Sequence, residues 1–359
     1  SAASDVYKRQ LMKINITENI KISMRGYTII NVNAYWEENG RRYAVKACDG
    51  LKIDSNDKEV ILRGSYDGRN VEWKLCDKGN YITAELTIQS KNEVYIDALC
   101  AFRGEIKPEE ANQKFLKVPF DNDDWVKFES KEYSKSEMGY GVSAVYNQNG
   151  ALIIGALEYD IWKTGIIPNE CIEVRSGVTD KLTRDTIKHG TVHGEIVKSP
   201  VIYIGESRTW QQGMMGFADI YNEYNTRLLW HGPIPFGWNS WYAYMKEIDM
   251  DKYMEASKFV SKTNFYDKNV SYINFDAFWN VGLTSEELLK AAEFVKERGQ
   301  IPGAYIAPFA GWIKEDCIDD YVTYDTGERV RVDGFEDIRY SDITVSYRHL
   351  RAHETGRNL

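Results

Sequence analysis

The chain has 359 residues, with 54 acidic against 45 basic side chains, a formal net charge of −9, 43% hydrophobic and 13% aromatic content. That length suits two domains, and that apolar share marks a globular chain and excludes a disordered one. An acidic surface argues against nucleic acid or anionic membrane as partners, and no apolar run reaches the ~20 residues that a spanning helix needs.

The five cysteines, Cys48, Cys76, Cys100, Cys171 and Cys317, are scattered and form no Cys-x-x-Cys pair. Neither a disulfide framework nor a zinc site is expected, and a reducing compartment fits best.

Both ends carry a pattern foreign to a fold. Asp5-Val-Tyr-Lys-Arg-Gln10 is what GAT-GTG-TAT-AAG-AGA-CAG encodes, which resembles a transposon end used in building sequencing libraries. Thr344-Val-Ser-Tyr-Arg-His-Leu-Arg-Ala-His-Glu-Thr355 resembles the reverse strand of the same adapter, with Arg348 where Thr is expected. Residues 1–11 and 344–359 are therefore expected to be non-native and are set aside from fold reasoning. Residues 1–10 and 344–359 contribute +1 and +2, which leaves the rest at about −12. Met12-Lys13 is a candidate start, and coding sequence lost upstream is the other reading. Lys13-Ile-Asn-Ile-Thr-Glu-Asn19 alternates and does not resemble a signal peptide, so a cytoplasmic protein is expected, with secretion through a lost upstream leader left open.

From 12 to 208 the rhythm has period two. Ile14, Ile16, Ile20 and Ile22 alternate with polar neighbours, as do Tyr81-Ile-Thr-Ala-Glu-Leu-Thr-Ile88 and Val94-Tyr-Ile-Asp-Ala-Leu99. Glu38-Asn-Gly40, Asp67-Gly68 and Gln148-Asn-Gly150 are hairpin-type turns. Many short strands with almost no helix predict an antiparallel β-sandwich, large for a single one. Residues 209–234 read as a linking helix, with Phe217, Ala218, Tyr221 and Tyr224 at helical spacing, followed by the break His231-Gly-Pro-Ile-Pro235.

From 235 to 343 strands and helices alternate. Strands are expected at 236–241, 271–276 and 303–307, with helices at 250–262 and 285–298. Tyr253, Ala256, Phe259 and Val260 form the expected inner face of the first helix. Thr284 and Glu287 read as a capping box opening the second, and Gly299 closes it. This βαβαβ run fits the first three units of a (β/α)8 barrel or the start of an open doubly wound sheet. Neither G-x-G-x-x-G nor a P-loop is present, so nucleotide-binding folds lose ground.

The chemistry concentrates at two strand ends, Phe236-Gly-Trp-Asn-Ser-Trp-Tyr242 and Tyr272-Ile-Asn-Phe-Asp-Ala-Phe-Trp279. A parallel α/β barrel presents ligand-contacting groups at such carboxyl ends. Asp276 stands there in an apolar setting, where a carboxylate needs hydrogen-bond donors, and sugar hydroxyls are suitable ones. Spacing alone leaves a second reading open, an aspartate capping the next helix or pairing with a core lysine. Trp238, Trp241, Trp279 and Trp312 all fall at or just past predicted strand ends. Tryptophan faces stack on pyranose rings, and core packing is the alternative.

Over 235–312, under a quarter of the chain, these segments resemble the first two barrel strands of the α-galactosidase clan, glycoside hydrolase families 27 and 36. The resemblance implies an N-terminal β-sandwich followed by a (β/α)8 TIM barrel, and a retaining glycosidase acting on α-galactosides or related pyranosides. It implies substrate contacts from Asp276, Trp241 and Trp279, with Tyr305 and Trp312 as weaker candidates, and leaves Trp238 to the core. The clan motif on strand two reads Asp-Asp-x-Trp, its two aspartates holding the 4- and 6-hydroxyls of galactose. Here the match is Asp276-Ala277-Phe278-Trp279, so the second carboxylate is missing. A sugar altered at one of those hydroxyls, such as β-L-arabinopyranose, is therefore expected to be tolerated or preferred. Strand three, Tyr305-Ile-Ala-Pro-Phe-Ala-Gly-Trp312, matches only loosely.

The same resemblance implies an Asp nucleophile on strand four and an Asp acid/base on strand six, both expected beyond the end of the native part, so that this polypeptide is expected to be inactive. Asp342 comes too early in the pattern to be the nucleophile. Two alternatives stay open: a galactosyl transglycosylase of the same clan, and a non-catalytic carbohydrate-binding protein whose sandwich would use Trp73, Trp125 and Trp162. A galactoside-like oligosaccharide is the expected partner, and self-association into a homo-oligomer stays open. Asp121-Asn-Asp-Asp124 lacks the glycine and terminal glutamate of a calcium loop, and His189 and His193 lie on a β-segment without partner ligands. Glu315, Asp316, Asp319 and Asp320 read as a solvated face, and His349 and His353 fall in the adapter-like end. No cofactor or metal is expected.

Overall fold

The computed structural model describes residues 13–47, 49–56, 58–120, 127–179, 190–225, 230–232, 234–263, 271–277 and 279–305. The chain divides into two compact units, 1–227 and 228–359.

In the first unit the described residues form β1 (Lys13–Ile16), β2 (Ile20–Ser23), β3 (Tyr27–Glu38), β4 (Arg41–Val45), β5 (Lys52–Ser55), β6 (Glu59–Tyr66), β7 (Arg69–Asp77), β8 (Tyr81–Pro108) and β9 (Lys114–Lys117). They continue as β10 (Glu129–Glu132), β11 (Gly139–Tyr140), β12 (Val142–Tyr146), β13 (Ala151–Ala156), β14 (Thr164–Pro168), β15 (Ile172–Ser176), β16 (Val192–Lys198) and β17 (Ile202–Ser207), and close with helix α1 (Trp210–Tyr224). Every pairing among these strands is antiparallel.

The 28-residue β8 organises the sandwich. Its first half pairs with β7 on one side and with β17 and β16 on the other. Its second half pairs with β3 and β15. Register shifts in its ladders with β3, β15 and β16 mark bulges, the device by which one strand passes from sheet to sheet. The hairpin turns follow the sequence: Asn39 and Gly40 join β3 to β4, and Asp67 and Gly68 join β6 to β7, all four with positive φ. That is the backbone a two-residue primed turn requires.

Period-two patterning becomes a core in which Val71, Trp73 and Leu75 of β7 meet Ile82, Ala84, Leu86 and Ile88 of β8. Trp73 is completely buried and its indole N–H donates to Ala101 O at 2.8 Å. Trp162 is buried too, and donates to Lys198 O at 2.7 Å. These two indoles are core members with their polar handles satisfied, so neither offers the exposed stacking platform that the carbohydrate-binding alternative needs; Trp125 lies outside the described residues. Helix α1 opens on Thr209, whose hydroxyl accepts from Gln212 N–H, and packs Phe217 on Ile153 and Tyr203 of the sandwich.

One polar cluster crosses β3, β15 and the β3–β4 hairpin. Arg175 donates to both carboxylate oxygens of Glu37 at 2.8 and 2.6 Å, Arg42 donates to Glu37 at 2.9 Å, and the Tyr35 hydroxyl bonds Glu173. Burial opposes ionisation of Glu37, but hydrogen bonds from Arg175 and Arg42 outweigh it and hold the carboxyl below its ordinary range.

The second unit contains β18 (Phe236–Asn239), α2 (Trp241–Tyr244), α3 (Met250–Val260), β19 (Ser271–Phe275), α4 (Trp279–Gly282), α5 (Ser285–Glu297) and β20 (Ile301–Ala304). The strands lie parallel in the order β18–β19–β20. Thr284 and Glu287 form the reciprocal capping box that opens α5, and Gly299 at φ 72° follows its end. The third strand starts two residues earlier than its spacing suggests and includes Pro302, tolerated because β20 has a strand neighbour on one side only among the described residues.

Tyr253 stacks on Phe275 with centroids 3.7 Å apart and donates to Ile273 O at 2.6 Å. Burial pushes the Tyr253 phenol well up. The inner face of α3 is Tyr253, Ser257 and Val260. Phe259, expected to face inward, is 71% exposed. The reason is helical geometry: i, i+4 and i+7 share a stripe, Ser257 fills the middle place by bonding Gln300, and Phe259 falls outside it.

Candidate functional site

The candidate site lies at the carboxyl ends of β18 and β19, and close backbone packing builds it. A Cβ on Gly237 would fall 1.8 Å from Tyr272 O, so only glycine allows β18 to lie this near β19. Asn239 then pairs with Asn274 in register, and Ser240 N–H donates to Asn274 O at 3.1 Å just past the ladder. Buried Ser240 accepts at Oγ from the N–H of Asp276 at 2.9 Å. The backbone at Asp276 is thereby fixed from the neighbouring strand.

The carboxylate is fixed as well. Asn239 Nδ2 donates to Asp276 Oδ2 at 2.8 Å, and Ala277 N–H donates to Asp276 Oδ1 at 2.7 Å. Asn239 Oδ1 accepts from Trp241 N–H at 2.9 Å. Each carboxylate oxygen accepts from one of these donors and has capacity for another, since a carboxylate offers about four acceptor positions. Asp276 is partly buried, and among the described residues it pairs with no lysine. The arrangement can therefore accept hydroxyl donors in a fixed direction.

The other expected contacts separate into groups. Trp241 is half-buried and follows the Asn239 turn directly. Trp238 packs its edges against Tyr244 and Tyr253, in the core as its sequence position suggests. Trp279 is only 8% exposed, and its indole N–H is engaged by Tyr305 O at 2.9 Å, so this ring packs with Phe275 and Val295. Tyr305 is 40% exposed and donates its backbone N–H to Phe275 O. Trp312 lies outside the described residues. The side chains of Asn239 and Ser240, which fix Asp276, were not singled out from the sequence, although an Asn-Ser pair at the end of a short strand is the signal of a side-chain-to-backbone turn.

Elsewhere, a cleft of about 1340 Å³ opens in the sandwich unit, lined by Arg25, Tyr27, Glu110, Gln113, Glu206 and Gln212 among others. Its groups bind one another: Glu206 accepts from Arg25 N–H at 2.7 Å, and the Tyr27 hydroxyl lies 3.1 Å from both Gln113 Oε1 and Val145 O. Tyr27 and Tyr203 are buried and present no stacking face. His193 pairs with Glu93 at 2.7 Å and stacks on Tyr95. Among the described residues no three His, Cys, Asp or Glu side chains are grouped to hold a metal, Cys76, Cys100 and Cys171 are free thiols, and no helix is long and apolar enough to cross a membrane.

No protein-family model matches the chain, and no curated protein matches it by sequence. Solved structures do resemble it. A glycoside hydrolase family 97 enzyme from Pseudoalteromonas sp. strain K8, in complex with acarbose, matches with a TM-score of 0.58 at 9% identity, over 82% of this chain and 52% of that one. A family 36 α-galactosidase from Geobacillus stearothermophilus, in complex with stachyose, matches with a TM-score of 0.49 at 13% identity, over 93% and 51%. A β-arabinopyranosidase matches with a TM-score of 0.49 at 10% identity, over 81% and 50%. The chain thus spans about half the length of these structures. At this identity the family 97 match speaks to the fold alone: the chain shares the architecture of a glycoside hydrolase over most of its length.

Proposed function

We propose that this chain is the N-terminal β-sandwich and the first three βα units of a (β/α)8 barrel from a retaining glycoside hydrolase acting on α-galactosides or related pyranosides. One observation carries the reading. Asp276 stands at the carboxyl end of a parallel strand, its carboxylate oriented by Asn239 and its backbone by Ser240, in the position from which a barrel enzyme addresses a sugar. Trp241, held by the same asparagine, is the neighbouring candidate for ring stacking.

In this reading the nucleophile and the acid/base lie on strands four and six, outside residues 235–343, about 5–5.5 Å apart as in retaining glycosidases. The polypeptide then holds part of a sugar pocket without its chemistry. Transglycosylation fits the same site, since hydrolase and transglycosylase differ in which acceptor reaches the covalent intermediate. Ala277 supplies a methyl group where the clan motif has a carboxylate, which favours a pyranose lacking the hydroxymethyl group, such as a β-L-arabinopyranoside.

The test is to recover the downstream coding sequence from the source DNA and assay the completed protein on nitrophenyl α-galactoside and nitrophenyl β-L-arabinopyranoside. Turnover of either is expected. Ala277→Asp is expected to shift preference toward the galactoside by about tenfold or more, the worth of one charged hydrogen bond. An unchanged preference would reject the assigned role of Ala277. No turnover, with no aspartates on strands four and six, would reject the enzyme.

A further inference from the structure

We propose that Asn239 is the positioning residue of this site, a single amide that orients the sugar-reading carboxylate of Asp276 and anchors the start of the Trp241 segment. The inference rests on the sugar-site reading above. The amide has no freedom to turn over. Trp241 N–H can only donate, so the asparagine oxygen must face it at 2.9 Å; the NH2 group is then left for Asp276 Oδ2, an acceptor, at 2.8 Å. Both bonds are made only in this orientation.

The partners explain why an amide is needed here. Asp276 Oδ1 is held by its neighbour Ala277 N–H and its main chain by Ser240 Oγ, so Asn239 supplies the remaining direction, against rotation of the carboxylate about its last torsion. A carboxylate aimed this way keeps its second acceptor position on each oxygen for ligand hydroxyls. Because one side chain bonds both Trp241 N–H and Asp276, the anchored backbone and the hydrogen-bonding group are held together as one preorganised unit. With a single aspartate in the motif, orientation of Asp276 has no second carboxylate to compensate for its loss.

Two substitutions separate positioning from shape. Asn239→Asp keeps the size and still accepts from Trp241 N–H, but turns a second carboxylate oxygen toward Asp276, where like charges repel. Asn239→Ser retains an acceptor for Trp241 N–H in a short side-chain turn but does not reach Asp276. The whole chain is titrated with methyl α-galactopyranoside and methyl β-L-arabinopyranoside by saturation-transfer NMR, with thermal unfolding followed alongside. The expected order of affinity is Asn, then Ser about fivefold weaker, then Asp tenfold weaker or more. A residue that only fills space or closes the turn gives the opposite order, with Asp nearest to Asn. Wild-type binding with an Asp variant of equal affinity overturns the role of Asn239 alone. Absence of wild-type binding to both glycosides overturns the site reading and this inference with it. Should the Asp variant fail to fold, a Ser variant that folds and binds like the wild type overturns the proposal, and one that folds and binds severalfold weaker supports it.

Discussion

The two units solve the same problem, burying strand faces, with different completeness. In the sandwich, β8 has neighbours on both sides along most of its length, and the buried indoles of Trp73 and Trp162 find backbone acceptors, although that of Trp36 finds none among the described residues. In the second unit, β18 and β20 each have one strand neighbour among the described residues, and Phe236 on β18 is 50% exposed. Antiparallel hairpins close on near neighbours in sequence, whereas a parallel sheet grows by one crossover at a time and leaves an edge at every intermediate stage. A sandwich can therefore be finished within its own residues, and a parallel sheet of three strands is stabilised on one side of each outer strand only. The difference teaches where stability should reside: in the first unit.

The largest expected effect tests that assignment directly. Trp73→Ala removes a fully buried ring and its bond to Ala101 O, at a cost of about 3–5 kcal/mol. Urea unfolding followed by circular dichroism should show the main β-signal transition move to much lower denaturant. If that transition stays in place, the sandwich is not the stable half, and the comparison fails.

A smaller effect concerns charge in the sandwich. Glu37 is the common acceptor of Arg175 and Arg42, and its carboxyl is lowered from an ordinary value of 4.5. A folded-state pKa below the unfolded one stabilises the fold above the ordinary carboxylate range and loses that contribution as pH falls through the folded value. Glu37→Gln should therefore cost about 2 kcal/mol at pH 7, and the gap to wild type should narrow on acidification below the ordinary value. A gap that does not change with pH would assign the cost to shape and remove the charge argument.

Legibility from sequence divides along a different line, between local features and contacts over long sequence separations. Hairpins announced by Asp67-Gly68 and Asn39-Gly40, and strands announced by Tyr81–Ile88, were readable because each follows from its own residues. The capping box at Thr284 was readable for the same reason. What could not be read depends on contacts between distant segments. That β8 runs 28 residues and pairs with five partners is a property of the assembled sheets. At the site, Asp276 stood out by its position, but its orienting partner lies 37 residues earlier, and nothing local to Asp276 specifies Asn239. Trp279 and Trp241 look alike in sequence as strand-end tryptophans; only the packing separates a ring with its N–H engaged by Tyr305 O from a half-buried one.

The sharpest test within the second unit compares adjacent residues on one helix, one of which should have almost no effect. Phe259 and Val260 are both apolar, and a pattern reading places both inward. In the structure Val260 belongs to the core with Ile273 and Val295, while Phe259 projects away from it. Val260→Ser should cost about 1.5–3 kcal/mol, the burial of one aliphatic side chain together with the exposure of its place to a hydroxyl. Phe259→Ser should stay within about 0.5 kcal/mol, as exposed substitutions do. Hydrogen exchange read at the backbone amides of α3 and β19 follows this unit separately from the sandwich. Equal losses at both positions would mean that another apolar surface covers α3 in solution, and the exposed face of this helix would then be an interface.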